Sequence, residues 1–145
     1  MKMTFSRQFL DIAGIMDCLV GIIALIMSIL VCGAGIVIVN APELGAELPS
    51  TFGEYTVLII GMVIAAGSLF AIFFGHLERA AAKDPAKIMP VWVLSLVSVF
   101  LSVGSLICNL TMHVAYADMK SCFISLVFSV LMLVIADNIK KEAGK

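Results

Sequence analysis

Residues 12–39 read IAGIMDCLVGIIALIMSILVCGAGIVIV, an apolar run whose one charged residue is Asp17. At 1.5 Å per residue, a helix over this run is about 42 Å long and exceeds the ~30 Å hydrocarbon core of a bilayer. The run therefore predicts a membrane-spanning helix that tilts in the bilayer or extends beyond it. It is too long for the apolar region of a signal peptide, so we expect it to remain in the protein.

The rest of the chain has the same apolar character. Hydrophobic residues make up 62% of the 145 positions, charged residues make up 13%, and the mean hydropathy is +1.16. This composition excludes an ordinary soluble domain, and a net charge of −1 offers no basic field for nucleic acid. Three further apolar segments predict spans at 56–75, 88–112 and 121–139. We therefore predict an all-α membrane protein, a four-transmembrane-helix bundle in which residues 1–145 form one domain in the lipid bilayer.

The basic residues predict the side on which the termini lie, because cytoplasmic flanks of membrane spans retain Lys and Arg. Lys120 is the single basic residue on one side of the predicted spans, where the loop at 40–54 contains three Glu. The other eight fall on the opposite side: Lys2, Arg7, Arg79, Lys83, Lys87, Lys140, Lys141 and Lys145. Both termini are therefore predicted to be cytoplasmic, in a cell membrane of the inner or plasma type.

A helix start is predicted in the basic loop between the second and third spans. Asp84 followed by Pro85 has the pattern of an N-cap with proline at the first helical position. Pro90 lacks an N–H and disfavours a helical residue before it, so we expect a kink or a second helix start near Met89.

Small and hydroxyl side chains recur at steps of three, four or seven residues along each span, which places them on one helix face. They are Gly21, Ala24, Ser28, Cys32 and Gly35; Gly61, Ala65, Ser68 and Gly75; Ser95, Ser98, Ser102 and Ser105; and Ser121, Ser125 and Ser129. In lipid, such faces allow close helix packing and shared hydrogen bonds. They predict a self-associating bundle, a homo-oligomer, or an accessory subunit of a larger membrane complex.

The alternative function is proton- or ion-coupled transport of a small solute. An ionisable side chain inside a span is costly and is a functional candidate by default, which singles out Asp17 as a coupling carboxylate. Ser28, Ser95, Ser98 and Ser102 would then line the path. The structural interpretation is that Asp17 lies about one turn inside the membrane surface and stays solvated there.

No catalytic, cofactor or metal motif is present in the sequence, so we expect a protein that is not an enzyme and needs no cofactor. His76 and His113 fall on opposite sides of the predicted membrane and form no ligand pair. Cys108 and Cys122 flank the loop between the last two spans, where a disulfide would close the hairpin in an oxidising compartment. Buried thiols that act as small packing residues are the other interpretation of these cysteines.

The predicted plan resembles that of small multidrug resistance exporters, which are four-helix chains with an essential carboxylate in the first span. The resemblance lies in the architecture and in the position of Asp17. This chain departs from the family's pattern in its longer spans and its longer loop at 40–54. In addition, Met16, Cys18 and Val20 stand around Asp17, where the family has aromatic residues.

Overall fold

The computed structural model describes residues 4–41, 55–111 and 116–144. Within these ranges the chain forms four long helices, α1 (Phe5–Asn40), α2 (Thr56–Lys83), α3 (Ile88–Thr111) and α4 (Tyr116–Ala143), with a short 3-10 helix (Pro85–Lys87) before α3. All four helices are long and apolar enough to cross a membrane. The predicted all-α class with four spanning helices is confirmed, and the chain is a multi-pass membrane protein. Most of the predicted loop at 40–54 lies outside the described residues.

The helices extend beyond the predicted spans. α1 begins at Phe5 rather than at residue 12, and α2 continues past residue 75 to Lys83. Charged residues end a hydrophobic segment but do not end a helix, since Glu, Arg, Ala and Lys all favour helical backbone. The added turns are also packed, because Leu10, Ala81 and Ala82 are fully buried.

The turn between α2 and α3 has the predicted cap. Asp84 has an extended backbone (φ −128°, ψ 98°), and its carboxylate accepts a hydrogen bond of 3.2 Å from the Ala86 N–H. Pro85 starts the 3-10 helix, and α3 follows at Ile88. Pro90 lies in the first turn of α3, where its missing N–H leaves no hydrogen bond unmade. Both predictions, the Asp84 N-cap and the second helix start, are confirmed.

The chain divides into two compact units. We call Ile15–His76 the hairpin unit, and Met1–Gly14 together with Leu77–Lys145 the terminal unit. The boundaries fall inside α1 and α2, so each of these helices contributes to both units.

In the hairpin unit, α1 and α2 run antiparallel and touch through glycine. A Cβ atom on Gly35 would lie 2.7 Å from the backbone nitrogen of Leu58, and one on Gly61 would lie 2.9 Å from that of Cys32. A Cβ on Gly21 would lie 2.9 Å from the carbonyl oxygen of Ser68. Real Cβ atoms essentially never approach other atoms so closely, so the two backbones meet only because these side chains are absent.

The terminal unit has a core drawn from every helix. Its buried apolar side chains are Leu10 and Ala13 from α1, Ala81 and Ala82 from α2, Ile88 and Val91 from α3, and Met132, Ile135, Ala136 and Ile139 from α4. Most other large apolar residues of the described helices are exposed, as expected for surfaces that face lipid tails.

Candidate functional site

A buried carboxyl lies in the terminal unit. Glu78, near the C-terminal end of α2, has no solvent-exposed surface and lies three residues before the buried Ala81. A charged or protonatable side chain in such a position is expensive to bury, and inside a membrane protein it is a functional candidate by default. Glu78 is therefore the first candidate residue of the site.

Two arginines lie near the same end of α2. Arg7 of α1 donates hydrogen bonds of 2.7 Å to the carbonyl oxygen of Ala82 and 2.6 Å to that of Lys83. These are carbonyls of the last helical turn, which lack partners within the helix, so Arg7 acts as a C-terminal cap of α2. Arg79 forms an ion pair with Asp11 at 3.4 Å, and both side chains are partly exposed. The first turns of α1 are thus tied to the end of α2 by charged side chains.

The seam between α3 and α4 is made of hydroxyl groups. The Ser129 hydroxyl lies 3.0 Å from that of Ser98 and 3.3 Å from that of Ser102, so one residue of α4 bridges two turns of α3. One turn before Ser98, Ser95 is 2% exposed, and its hydroxyl has no hydrogen-bond partner among the described residues. The serine faces of α3 and α4 therefore face one another, a pairing that the spacing within each helix does not predict.

The same seam opens into a groove toward the α3–α4 connection. We call it the serine groove; its volume is about 330 Å³, and it is lined by Ser98, Leu101, Ser102, Ser105, Ser121, Cys122 and Ser125. Ser105, Ser121 and Ser125 are exposed. The groove thus presents hydroxyl groups on the surface of a helix pair whose other surface residues are mainly apolar.

The predicted transport residues are divided between the two units. Ser95, Ser98 and Ser102 belong to the terminal unit, whereas Asp17 and Ser28 belong to the hairpin unit. Ser28 is buried and donates a 2.7 Å hydrogen bond to the Leu25 carbonyl of its own helix.

Asp17 is half-buried on the α1 face that packs against α2. The next residue, Cys18, places its thiol 3.6 Å from the Ile72 carbonyl oxygen, and Gly21 lies one turn further along the same seam. Asp17 therefore lies at the end of the closely packed part of the hairpin unit.

The cysteines are thiols in the structure. Cys108 is exposed, and the sulfur of Cys122 lies 3.7 Å from the Ser105 hydroxyl. A disulfide between Cys108 and Cys122 stays a prediction. His76 is exposed, His113 lies outside the described residues, and the described ranges contain no cluster of three metal-binding side chains.

Glu78 is not among the candidate residues that the sequence predicts, because the neighbouring Arg79 and Lys83 are typical of a solvated helix end. The signal was present in the small-residue face of α2. Gly61, Ala65, Ser68 and Gly75 follow one another at steps of four, three and seven residues, and one more step of three reaches Glu78. The packed face of α2 continues beyond the end of the apolar run, and Glu78 lies on this continuation, so its carboxyl is buried in the core.

No known protein family, curated protein or solved structure matches this chain.

Proposed function

We propose that this chain is a non-enzymatic membrane protein that associates with a second copy of itself through the serine groove. The observation that carries the proposal is the row of exposed hydroxyls at Ser105, Ser121 and Ser125 on a membrane-spanning helix pair. Lipid tails provide no hydrogen-bond partner for these hydroxyls, whereas a packed helix does. Small side chains also allow that helix to approach closely.

A second copy suits the groove because a serine hydroxyl both donates and accepts hydrogen bonds. A serine row can therefore pair with the same row on a copy related by a two-fold axis. Hydrogen bonds between membrane helices contribute about 0.6 kcal/mol each on average. A few of them support reversible association, which is also what an accessory subunit needs in order to exchange partners.

The test fills the groove with a large side chain. In liposomes containing the full chain, Ser125→Leu is expected to lower the dimer fraction measured by single-molecule photobleaching. Val127→Leu is the matched control, because Val127 is an exposed apolar residue of the same helix. A chain that is monomeric at every protein-to-lipid ratio contradicts self-association. Stable co-purification with another membrane protein, lost in Ser125→Leu, assigns the groove to a hetero-complex instead.

The proposal includes an orientation with both termini in the cytoplasm, supported by the distribution of basic residues. It is tested with probe cysteines in a background in which the four native cysteines are replaced. A membrane-impermeant reagent added from outside should label Ala46→Cys and leave Ala86→Cys unlabelled. Ala86 is an exposed position, whereas nearby Ala82 is fully buried and would resist labelling on either side. The reverse pattern contradicts the orientation.

Proton- or ion-coupled transport is the second candidate, and the complete burial of Glu78 favours it. Two carboxyls would then be candidates for coupling, Asp17 in the hairpin unit and Glu78 in the terminal unit. Of the hydroxyls predicted to line a path, Ser28 belongs to the hairpin unit, and Ser95, Ser98 and Ser102 belong to the terminal unit.

This candidate is tested in vesicles with a pH gradient and a panel of lipophilic cations. Asp17→Asn and Glu78→Gln are compared with Glu142→Gln, an exposed carboxylate near the C-terminus. Loss of uptake in the first or second variant alone supports coupling by that residue. If the native chain moves none of the cations, coupled transport of this solute class is rejected.

A further inference from the structure

A second cleft lies at the opposite end of the α3–α4 pair from the serine groove. It has a volume of about 340 Å³ and is lined by Trp92 of α3 and by Leu133, Val134, Asp137, Asn138 and Lys141 of α4. The apolar residues come first along α4 and the polar ones follow. From Leu133 to Lys141 the helix rises about 12 Å, enough to pass from lipid tails to headgroups.

The mouth of the cleft carries more positive than negative charge. The Lys141 ammonium lies 2.7 Å from a carboxylate oxygen of Asp137. The ammonium of Lys140 lies 3.9 Å from the centroid of the Trp92 ring. Lys141 and Lys140 thus both act on the single carboxylate of Asp137, so these three side chains together carry a net charge of +1 beside the cleft wall. Lys141 is 70% exposed and retains further N–H donors for an anion.

From this charge balance and polarity gradient we infer that the cleft binds an anionic phospholipid. Its phosphate is held by Lys140 and Lys141, and an acyl chain lies along Leu133, Val134 and the Trp92 ring. A soluble phosphate would leave the apolar wall uncovered. A zwitterionic lipid would bring a headgroup cation to a mouth where Asp137 is already paired and the net charge is positive. The inference is independent of self-association and transport, and of which side of the membrane carries the termini.

Trp92 is the single tryptophan of the chain, so its fluorescence reports on this cleft alone. The full-length protein is reconstituted in phosphatidylcholine vesicles that contain an equal, low mole fraction of a lipid with brominated acyl chains. That lipid is phosphatidylglycerol in one sample and phosphatidylcholine in the other. Bromine quenches tryptophan on contact, and the ratio of the two quenching constants measures lipid preference at the site.

The expected ratio for the native protein is roughly fivefold in favour of phosphatidylglycerol, the effect of about one uncompensated cation near a membrane surface. The ratio should fall to one or below in the Lys140→Gln/Lys141→Gln variant, where Asp137 is left without either lysine, and the native preference should weaken in high salt. The matched control is Lys83→Gln/Lys87→Gln, which removes the same charge from exposed lysines of the terminal unit that do not line the cleft.

Equal quenching by both lipids in the native protein overturns the inference, and this outcome needs no variant to fold. An equal fall of the ratio in the two double variants also overturns it, because the preference would then come from general surface charge. A preference that survives Lys140→Gln/Lys141→Gln excludes these lysines as the phosphate ligands and overturns the assignment of the cleft.

Discussion

In the hairpin unit, α1 and α2 approach until backbone meets backbone, whereas in the terminal unit α3 and α4 are joined by side-chain hydroxyls. At Gly35 and Gly61 the facing helix leaves no room for even the methyl group of an alanine. In the contact between α3 and α4, the hydroxyl oxygen of Ser129 instead lies within hydrogen-bond distance of those of Ser98 and Ser102. A groove of about 330 Å³ lies beside these side chains. The glycine contact between α1 and α2 is filled by the two helices themselves, whereas the serine contact between α3 and α4 leaves hydroxyl groups exposed beside it.

The difference also concerns how each seam responds to change. The contact between α1 and α2 is disrupted when an atom is added at a glycine, because the facing backbone can move little to make room for it. A hydroxyl contact fails when an atom is removed, and the loss is limited to a hydrogen bond of modest strength. Substitutions in the hairpin unit are therefore expected to have larger effects on stability than those in the serine seam.

The largest effect is expected for Gly35→Ala. The new Cβ would lie 2.7 Å from the backbone nitrogen of Leu58, so the helices must separate, and we expect the free energy of unfolding to fall by about 1–3 kcal/mol. Gly33→Ala is the matched control, because a Cβ at Gly33 meets nothing within 4 Å. Unfolding by SDS in mixed micelles, followed by far-UV circular dichroism, measures both. Equal stability of the two variants would contradict the backbone contact.

The glycines of α1 and α2 show which features of the packing can be predicted from the sequence. Hydropathy alone predicts the four spans, and the three-and-four spacing places Gly21, Gly35 and Gly61 on packed faces. The spacing separates Gly35 from Gly33, but it does not show that a Cβ at Gly35 would meet the Leu58 backbone whereas a Cβ at Gly33 would meet nothing within 4 Å. That distinction depends on the register between two helices, which is set by all their contacts together.

The candidate site is less predictable for a related reason. The serine spacing places the hydroxyls of α3 and of α4 on one face of each helix, and the structure shows that these two faces meet. Glu78 belongs to a buried core assembled from elements distant in sequence, since α1, α3 and α4 contribute Leu10, Ile88 and Ile139 to the same unit. Local charge around Glu78 indicates a solvated helix end, and only the packing of these elements overrides it.

Arg7→Gln tests how much the charged cap at the end of α2 contributes to the stability of the terminal unit, where the hairpin unit relies on close contact at its glycines. The change removes two hydrogen bonds, to the carbonyls of Ala82 and Lys83, from a partly exposed guanidinium. We expect a loss of about 1.5 kcal/mol in the free energy of unfolding. Gln8→Ala, at an exposed position of the same helix, should change it by less than about 0.5 kcal/mol. Similar values for the two variants would show that the cap contributes nothing.

Asp84→Ala examines the entry into α3, the helix that supplies one side of the serine seam. Loss of the N-cap acceptor for the Ala86 N–H should cost about 1 kcal/mol. Asp84→Asn keeps an acceptor oxygen but removes the ion pair with Lys87, which is 3.6 Å long and exposed. It should therefore retain most of the stability in the same SDS titration. If the two variants lose the same amount, the ion pair rather than the cap stabilises this turn.

The smallest effect is expected at the serine seam, where a double-mutant cycle of Ser98→Ala and Ser129→Ala isolates one hydrogen bond. The two hydroxyls lie 3.0 Å apart, and we expect a coupling energy of about 0.6 kcal/mol. Ser68→Ala is the control from the hairpin unit, since its hydroxyl donates to the Ile64 carbonyl of its own helix and should contribute little between helices. A coupling energy of zero would mean that α3 and α4 are held by packing alone. The contrast between a steric seam and a hydrogen-bonded seam would then disappear, and with it the argument that the exposed hydroxyls of the serine groove stabilise contact with a second copy.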